Sequence, residues 1–418
     1  MNGGPLDLSE ALATPIDGRT TGFPPAAATT VEEVAAQGWT LDDLAPPILL
    51  LRRSAVEHNV RVMAEYRAAH GVELYPHAKT SMAPQLWARQ LVAGAAGMTA
   101  ATGQQVRALR AVGVRRVLLA NQLVDAPTIA WLAEALGDPS FEPACWVDSV
   151  AGVDLLARGL QAAGAPRALD VLVELGHTDG RTGCRTVEDA RTVAAATASS
   201  RALSLAGVAG YEGTLADDRS PASLGAVDGF LDSMRVLTER LLADGAGEDG
   251  FLVTAGGSAF FDRVIERLGG GWRAGSDVRI ALRCGCTITH DHGVYARSSP
   301  IAEGLRAAFE AWGPVLSRPE PGTLVVGLGR RDVPADRDPP VPLRARSGGA
   351  AVSLDGSLRV VRVMDQHTIC RMDPAMALGP GDRVAFGISH PCSAFDRRRV
   401  IPMLDDDDRV VDAIVTWF

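Results

Sequence analysis

One lysine, one His-x-Cys pair and two short clusters are the residues of this sequence whose types could do chemistry. Lys79 lies in YPHAKTSM, residues 75–82, and is the only lysine of the chain; arginine supplies the rest of the 41 basic residues. A lysine drawn out of water loses part of its hold on a proton and becomes a nucleophilic amine, the form that makes a Schiff base with a carbonyl. Left on the surface it would be an ordinary solvated cation, so its meaning depends on where the chain puts it. In His390-Pro391-Cys392, two ligand-capable side chains stand at i and i+2, which on an extended strand project to the same side. Imidazole and thiolate together suit zinc, although the spacing alone is common by chance and fits a buried thiol beside a surface histidine better. Cys284-Gly285-Cys286 is too tight for a zinc knuckle and reads as structural or as the lining of a site. His290-Asp291-His292 reads as a hydrogen-bonded turn and is not taken as a ligand set, and the acidic run Asp405 to Asp408 reads as a solvated loop.

A repeated unit would position these residues. PPILLL, from Pro46, reads as a short strand, and Ser54-x-x-Glu57 as a capping box opening a helix that Gly71 ends. Eight strand-like runs follow: VELYP (72–76), GMTAA (97–101), RVLLA (116–120), ACWVD (144–148), DVLVEL (170–175), LAGVAGY (205–211), FLVTA (251–255) and VRIALR (278–283). Helical stretches separate them, one capped by Thr102-x-x-Gln105. That alternation predicts an α/β fold, a parallel (β/α)8 barrel, with an open doubly wound sheet as the alternative. Past residue 290 the runs become short and β-branched between Gly, Pro and Asp turns, predicting an all-β domain. The expected division is 1–45, an N-terminal extension that packs on the body or stays mobile; 46–290, the barrel; and 291–418, the β domain.

Active sites of such barrels lie at the C-terminal strand ends. The rule gathers His77 and Lys79 after strand one, Glu174, His177 and Arg181 after strand five, and Tyr211 and Glu212 after strand six. Strand seven adds Thr254, Gly256, Gly257 and Ser258, and strand eight adds Gly285 and Cys286. The glycine turns TAGGS and RCGC stand where barrels bind phosphate, because glycine lets backbone N–H groups approach an anion. A lysine opposite a phosphate site suggests pyridoxal phosphate held as a Schiff base, or an aldolase-type lysine acting directly on a phosphorylated sugar.

Composition narrows the class. With 47% apolar residues, 22% charged residues and a net charge of −9, the chain reads as a soluble globular protein without the basic stripe of a nucleic-acid binder. No apolar run of about 20 residues could span a membrane, and the N-terminus lacks a basic-then-apolar leader pattern, so a cytoplasmic protein is expected. Six cysteines scattered over 418 residues do not make a disulfide framework.

PHAKT, TAATGQQVRAL, LLANQLVD, ELGHTDGRTGCR, YEGT, TAGGS, LRCGCTITHDHGVY and SHPCSAFD, in this order, resemble the fold-type III pyridoxal-phosphate enzymes of the D-serine dehydratase and D-threonine aldolase group. The resemblance runs from about residue 46 to the end. It implies that Lys79 carries pyridoxal 5'-phosphate, with Arg181 near the pyridine ring and His77, Tyr211, Gly257, Ser258, Gly285 and Cys286 around the cofactor. It further implies that His390 and Cys392 hold Zn2+ or another divalent metal such as Mn2+, that His367 touches the substrate, and that two copies pair as a homodimer. The expected reaction is β-elimination from a 3-hydroxy D-amino acid such as D-serine, giving a 2-oxo acid and ammonia. Retro-aldol cleavage of D-threonine-like substrates, racemisation or epimerisation, and a non-catalytic cofactor-binding role are the alternatives. Aldolase-like members often carry His and Asp where Cys392 stands here, which favours elimination.

Overall fold

The computed structural model describes residues 4–247, 250–354 and 356–418; the first three residues of the N-terminal extension lie outside it. All eight strand-like runs become strands of one parallel sheet: β1 (Glu73–Leu74), β2 (Met98–Ala100), β3 (Arg116–Gln122), β4 (Glu142–Val147), β5 (Leu169–Leu175), β6 (Leu203–Gly210), β7 (Phe251–Ala255) and β8 (Val278–Leu282). Each pairs with the next through β2 to β8, and β8 returns to β1 with Ala281 opposite Glu73 and Leu282 opposite Leu74. Between β1 and β2 the backbone bonds Ala96 N–H to Leu74 O (2.8 Å) and Thr99 N–H to Pro76 O (2.9 Å) nearly complete the ring. This is the barrel rather than the open sheet.

Local chemistry sets the helices between the strands. Thr102, Asp125, Ser149, Thr186 and Ser220 each accept an N–H bond from the residue three further on, satisfying a donor the first turn cannot pair internally. The predicted Thr102 cap is among them, whereas the expected capping box at Ser54 is absent. The helix Arg53–His70 starts without a side-chain cap, and the Ser54 hydroxyl reaches instead to Asp406 Oδ1 (2.7 Å) across the fold. Gly71 does end that helix, at φ +63°, a left-handed conformation that costs glycine little.

The C-terminal domain is built on the long strand Phe309–Glu320, which pairs antiparallel with Arg383–Gly387 on one side and Thr323–Val326 on the other. Ile48–Arg52 joins this domain, pairing antiparallel with Phe309–Trp312 and parallel with Val400–Leu404, although the sequence placed it in the barrel segment. The N-terminal residues pack on the same domain. Ile16, Phe23, Leu41 and Leu44 form one buried cluster with Trp312, Ala385 and Val410. Fully burying such a side chain is worth about 1.5–3 kcal/mol, which holds the extension down without a sheet of its own beyond the small pair Pro15–Asp17 and Ala28–Thr30.

Candidate active site at the barrel mouth

Lys79 sits half-buried in a single 3-10 turn, Ala78–Thr80, directly after β1. Burial pushes its amine pKa down; the Cys392 sulfur opposes the shift, Arg181 adds to it, and Cys286 and Arg283 act in turn. The turn is clamped by the loop of the neighbouring last strand, β8. A Cβ on Gly285, after β8, would lie 2.3 Å from Thr80 Oγ1 and 3.0 Å from His77 O, so only glycine lets the last strand's loop touch the lysine turn. Neighbouring Cys286 donates its N–H to Ser258 Oγ (3.2 Å), tying the eighth loop to the seventh.

The glycines of the seventh loop differ from their sequence-based role. Gly256 and Gly257 do not offer free N–H groups to an anion: both donate to the buried Glu212 carboxylate, at 3.1 and 2.8 Å. Gly256 adopts φ +92°, and Glu212 holds that turn in shape. The hydroxyl of Ser258, buried beside them, remains the polar group of this loop.

Above the turn, the Arg181 guanidinium lies 4.5 Å from the centroid of the Tyr211 ring, a cation–π stack that orients both. His177 is half-buried, its ring hydrogen-bonded to Thr178 O and to Thr214 Oγ1 (both 2.9 Å), and the Glu174 carboxylate accepts from Gln122 Nε2 (2.6 Å). His77 is kept neutral, its pKa driven well down by burial and by the charges of Lys79 and Arg283, and its Nδ1 is buried without a partner. An orphaned ring nitrogen beside the lysine is a polar group for a bound molecule to satisfy.

Sequence reading passed over Arg283, the last residue of the eighth strand-like run. Its guanidinium is buried in the barrel, donating to Thr254 Oγ1 (2.6 Å) and Gly210 O (2.7 Å) and lying 5.6 Å from the Trp146 ring centroid. It is a fixed cation below the lysine turn, balanced by Glu212 and Glu174. The strand-end rule was the available signal, since the residue stands one step before Cys284 and Gly285.

His390 and Cys392 reach this mouth from the other domain, but not along an extended strand. They follow the strand Arg383–Gly387, Pro391 is helical (φ −59°, ψ −37°), and Cys392 opens the short helix Cys392–Phe395. One helical turn therefore brings the imidazole and the sulfur together, and they hydrogen-bond each other. Cys392 Sγ lies 3.4 Å from Thr80 Oγ1 and 3.5 Å from Cys286 Sγ. The hydrogen bond from Cys286, then that from His390, holds the Cys392 thiol well below its ordinary range; the same contact raises Cys286. His390 is pushed up to about 9 by Cys392 and then by Asp336, whose Oδ2 sits 2.6 Å from Nδ1. Asp336 and Tyr295, whose hydroxyl hydrogen-bonds Cys286, were not foreseen. Asp336 comes from an irregular segment and Tyr295 from the five-residue helix Val294–Ser298, too short to carry a periodic signal.

The remaining histidines separate clearly. Asp291 Oδ1 accepts the N–H groups of Gly293, Tyr295 and Ala296, so the His290–His292 segment is the expected hydrogen-bonded turn. His367 is exposed in the turn between Leu358–Val363 and Thr368–Met372, where its carbonyl accepts from Met364 N–H.

The donor chemistry fits both groups the resemblance implies. Pyridoxal phosphate would find the half-buried amine of Lys79, the Arg181–Tyr211 stack, the free Nδ1 of His77 and the Ser258 hydroxyl. A divalent metal would find one imidazole and one sulfur with a lowered pKa. Among the described residues no group of three or more His, Cys, Asp or Glu side chains is arranged to hold a metal.

Known proteins agree with this architecture. Residues 51–247 match the family described as alanine racemase, N-terminal domain, and residues 308–404 the family described as putative serine dehydratase domain. D-threonine aldolase of Arthrobacter sp. is 26% identical over 335 residues, covering 78% of this chain and 80% of that protein. D-threo-3-hydroxyaspartate dehydratase of Delftia sp. strain HT23 is 31% identical over 144 residues, 34% of this chain and 37% of that one. The crystal structure of D-threonine aldolase from Filomicrobium marinum superposes with a TM-score of 0.76 at 24% identity, over 90% of this chain and 96% of the other, a likeness of fold. The resemblance read from the ordered motifs is borne out.

Proposed function

We propose that this chain, which belongs to the alanine racemase-like, fold-type III group and carries its serine dehydratase-type C-terminal domain, is a pyridoxal-phosphate- and metal-dependent lyase that eliminates water from a 3-hydroxy D-amino acid such as D-serine. The observation that carries the reading is the position of Cys392: its sulfur, bonded to His390, lies 3.4 Å from Thr80, the residue next to Lys79. One domain presents an amine and the other an imidazole–thiol pair to a common space, which supports the reading.

When bound, pyridoxal phosphate supplies an electron sink for the α-carbanion, and the metal supplies Lewis acidity toward the β-hydroxyl. The chain's own residues do the rest. Lys79, its proton affinity lowered by burial, is the base that takes the α-proton. Arg181, stacked on Tyr211, and Ser258 orient the bound ring and phosphate. Asp336 bonds His390 Nδ1, leaving the other ring nitrogen for the metal. Elimination of hydroxide from D-serine gives an enamine that hydrolyses to pyruvate and ammonia.

Retro-aldol cleavage is the second reading, favoured by the similarity over most of the chain to a D-threonine aldolase. It needs a base on the β-hydroxyl proton and releases glycine and an aldehyde. Purified protein with pyridoxal phosphate and zinc, given D-serine, D-threonine and D-threo-3-hydroxyaspartate in turn, decides between them. Formation of 2-oxo acid with ammonia supports elimination; glycine with aldehyde from D-threonine, and no 2-oxo acid from any substrate, would replace it by the aldolase reading. The homodimer is proposed with the same reading, and light scattering of the active protein tests it.

A further inference from the structure

We propose that Cys286 and Cys392 are a redox modification site: a hydroperoxide joins them in a reversible disulfide that bolts the C-terminal domain across the barrel mouth. Their sulfurs are 3.5 Å apart. A disulfide needs about 2.05 Å between sulfurs, so closure requires roughly 1.5 Å of movement, within reach of side-chain rotation. The two residues are 106 apart in sequence and belong to different domains, Cys286 opening the turn Cys286–Ile288 after β8 and Cys392 the helix Cys392–Phe395.

The remaining cysteines are placed differently. Cys145, Cys184, Cys284 and Cys370 are buried, and the sulfurs of Cys184 and Cys284 contact backbone carbonyls. Cys392 is the one cysteine that is not fully buried, so an oxidant in solution meets it first. Thr80 Oγ1 lies 3.4 Å from this sulfur, within reach to donate to it once the thiol has lost its proton. Cys286, 4% exposed, is shielded from solvent but aimed at Cys392, the placement of a resolving thiol.

The chemistry balances in two steps. The Cys392 thiolate attacks one peroxide oxygen; the O–O bond breaks, and the other oxygen leaves as hydroxide and takes a proton to become water. Cys392 is then a sulfenic acid. The Cys286 sulfur attacks the Cys392 sulfur, the S–O bond breaks, and the departing oxygen carries off the thiol proton as a second water. Two thiols and one hydrogen peroxide give one disulfide and two waters; a dithiol reverses it by exchange. Formation of the bond is independent of the proposed reaction. Its consequence rests on that reading, because the sulfur spent in the disulfide is the proposed metal ligand.

The test uses the full chain, treated with chelator and then hydrogen peroxide, quenched with iodoacetamide under denaturing conditions, and mapped without reduction. The expected result is a fall in alkylatable thiols from six to four, a mass lower by two hydrogens, and one crosslinked peptide pair holding Cys286 and Cys392. Dithiothreitol should restore six. Six thiols after peroxide, or oxygen added to Cys392 while Cys286 is still alkylated, would overturn the proposal on the native chain alone. In Cys286→Ser the crosslink should vanish and Cys392 should gain oxygen instead. Zinc added before peroxide should slow crosslinking; an unchanged rate would sink the competition with metal and leave the disulfide standing, so the two ideas fail separately.

Discussion

A single lysine makes the central residue unusually easy to interrogate, because every lysine-directed reagent reports one position. Borohydride reduction with pyridoxal phosphate should fix the cofactor's mass to the peptide containing Lys79, and labelling confined to any other peptide would remove it from its role. Burial lowers the amine's pKa, so the neutral form persists to lower pH than in a solvated lysine. Cofactor capture, followed by absorbance against pH, should therefore titrate below the ordinary lysine range; a midpoint at or above that range contradicts the burial argument. Lys79→Ala should lose turnover altogether. Cys392→Ala should separate the two halves of the site, retaining cofactor capture while losing tight zinc binding, measured by equilibrium dialysis with elemental analysis. Zinc retained at full affinity would return the His-x-Cys pair to a structural role. Lys79 was legible in the sequence because composition isolates it and the strand count gives it a place. Arg283 and Asp336 were not singled out: one is an arginine among forty, the other lies in a Pro- and Asp-rich loop.

Elements were legible where they repeat and illegible where they pair at a distance. Parallel strands buried on both faces read as continuous apolar runs, and all eight appear where such runs stand. Ile48–Arg52 has the same look, yet its partners are some 260 and 350 residues further on (Phe309–Trp312 and Met403–Leu404), and no local pattern encodes such a choice. Similarly, Ser54-x-x-Glu57 has the letters of a capping box, but Asp406 outcompetes the helix end for the hydroxyl. The seventh loop gives this scale its test. Two glycine N–H groups converge on the buried Glu212 carboxylate, and hydrogen bonds to a charged group contribute about 1.5–3 kcal/mol each. Glu212→Gln keeps the shape, removes the charge and turns an acceptor into a donor that faces an N–H. It should destabilise the fold by about 2 kcal/mol in urea unfolding and weaken cofactor binding, since Ser258 rides on this turn. Stability and cofactor affinity both unchanged would mean the turn holds without its carboxylate.

At the scale of the whole molecule, the anchoring of Ile48–Arg52 in the C-terminal sheet is electrostatic as well as apolar. Arg52, ending the strand that leads into the barrel's first helix, donates to Glu310 at 2.8 Å and contacts Asp408 at 2.7 Å, with side-chain exposures of only 11, 14 and 11%. Arg344 and Arg346 close the network on the same carboxylates. Burial raises both acids, but the hydrogen bond and charge of Arg52 and the charge of Arg344 outweigh it, so Glu310 and Asp408 end below their ordinary range. A carboxyl with a depressed folded-state pKa contributes stability that is present above its unfolded pKa, about 4, and is lost as pH falls through the folded value. The native chain should accordingly lose stability steeply below pH about 4, through this anchoring among others. Arg52→Met leaves Glu310 and Asp408 paired with Arg344 and Arg346 alone; removing one partner of a buried ion pair costs about 3–5 kcal/mol, an upper bound here because those two arginines remain. Urea unfolding at neutral pH should register that loss, and repeating it near pH 3 should shrink the difference between variant and native chain, because the carboxylates are then partly protonated in both. A deficit under about 1 kcal/mol at neutral pH, or one that does not narrow in acid, would mean that the apolar strand pairing alone holds Ile48–Arg52 in the C-terminal sheet.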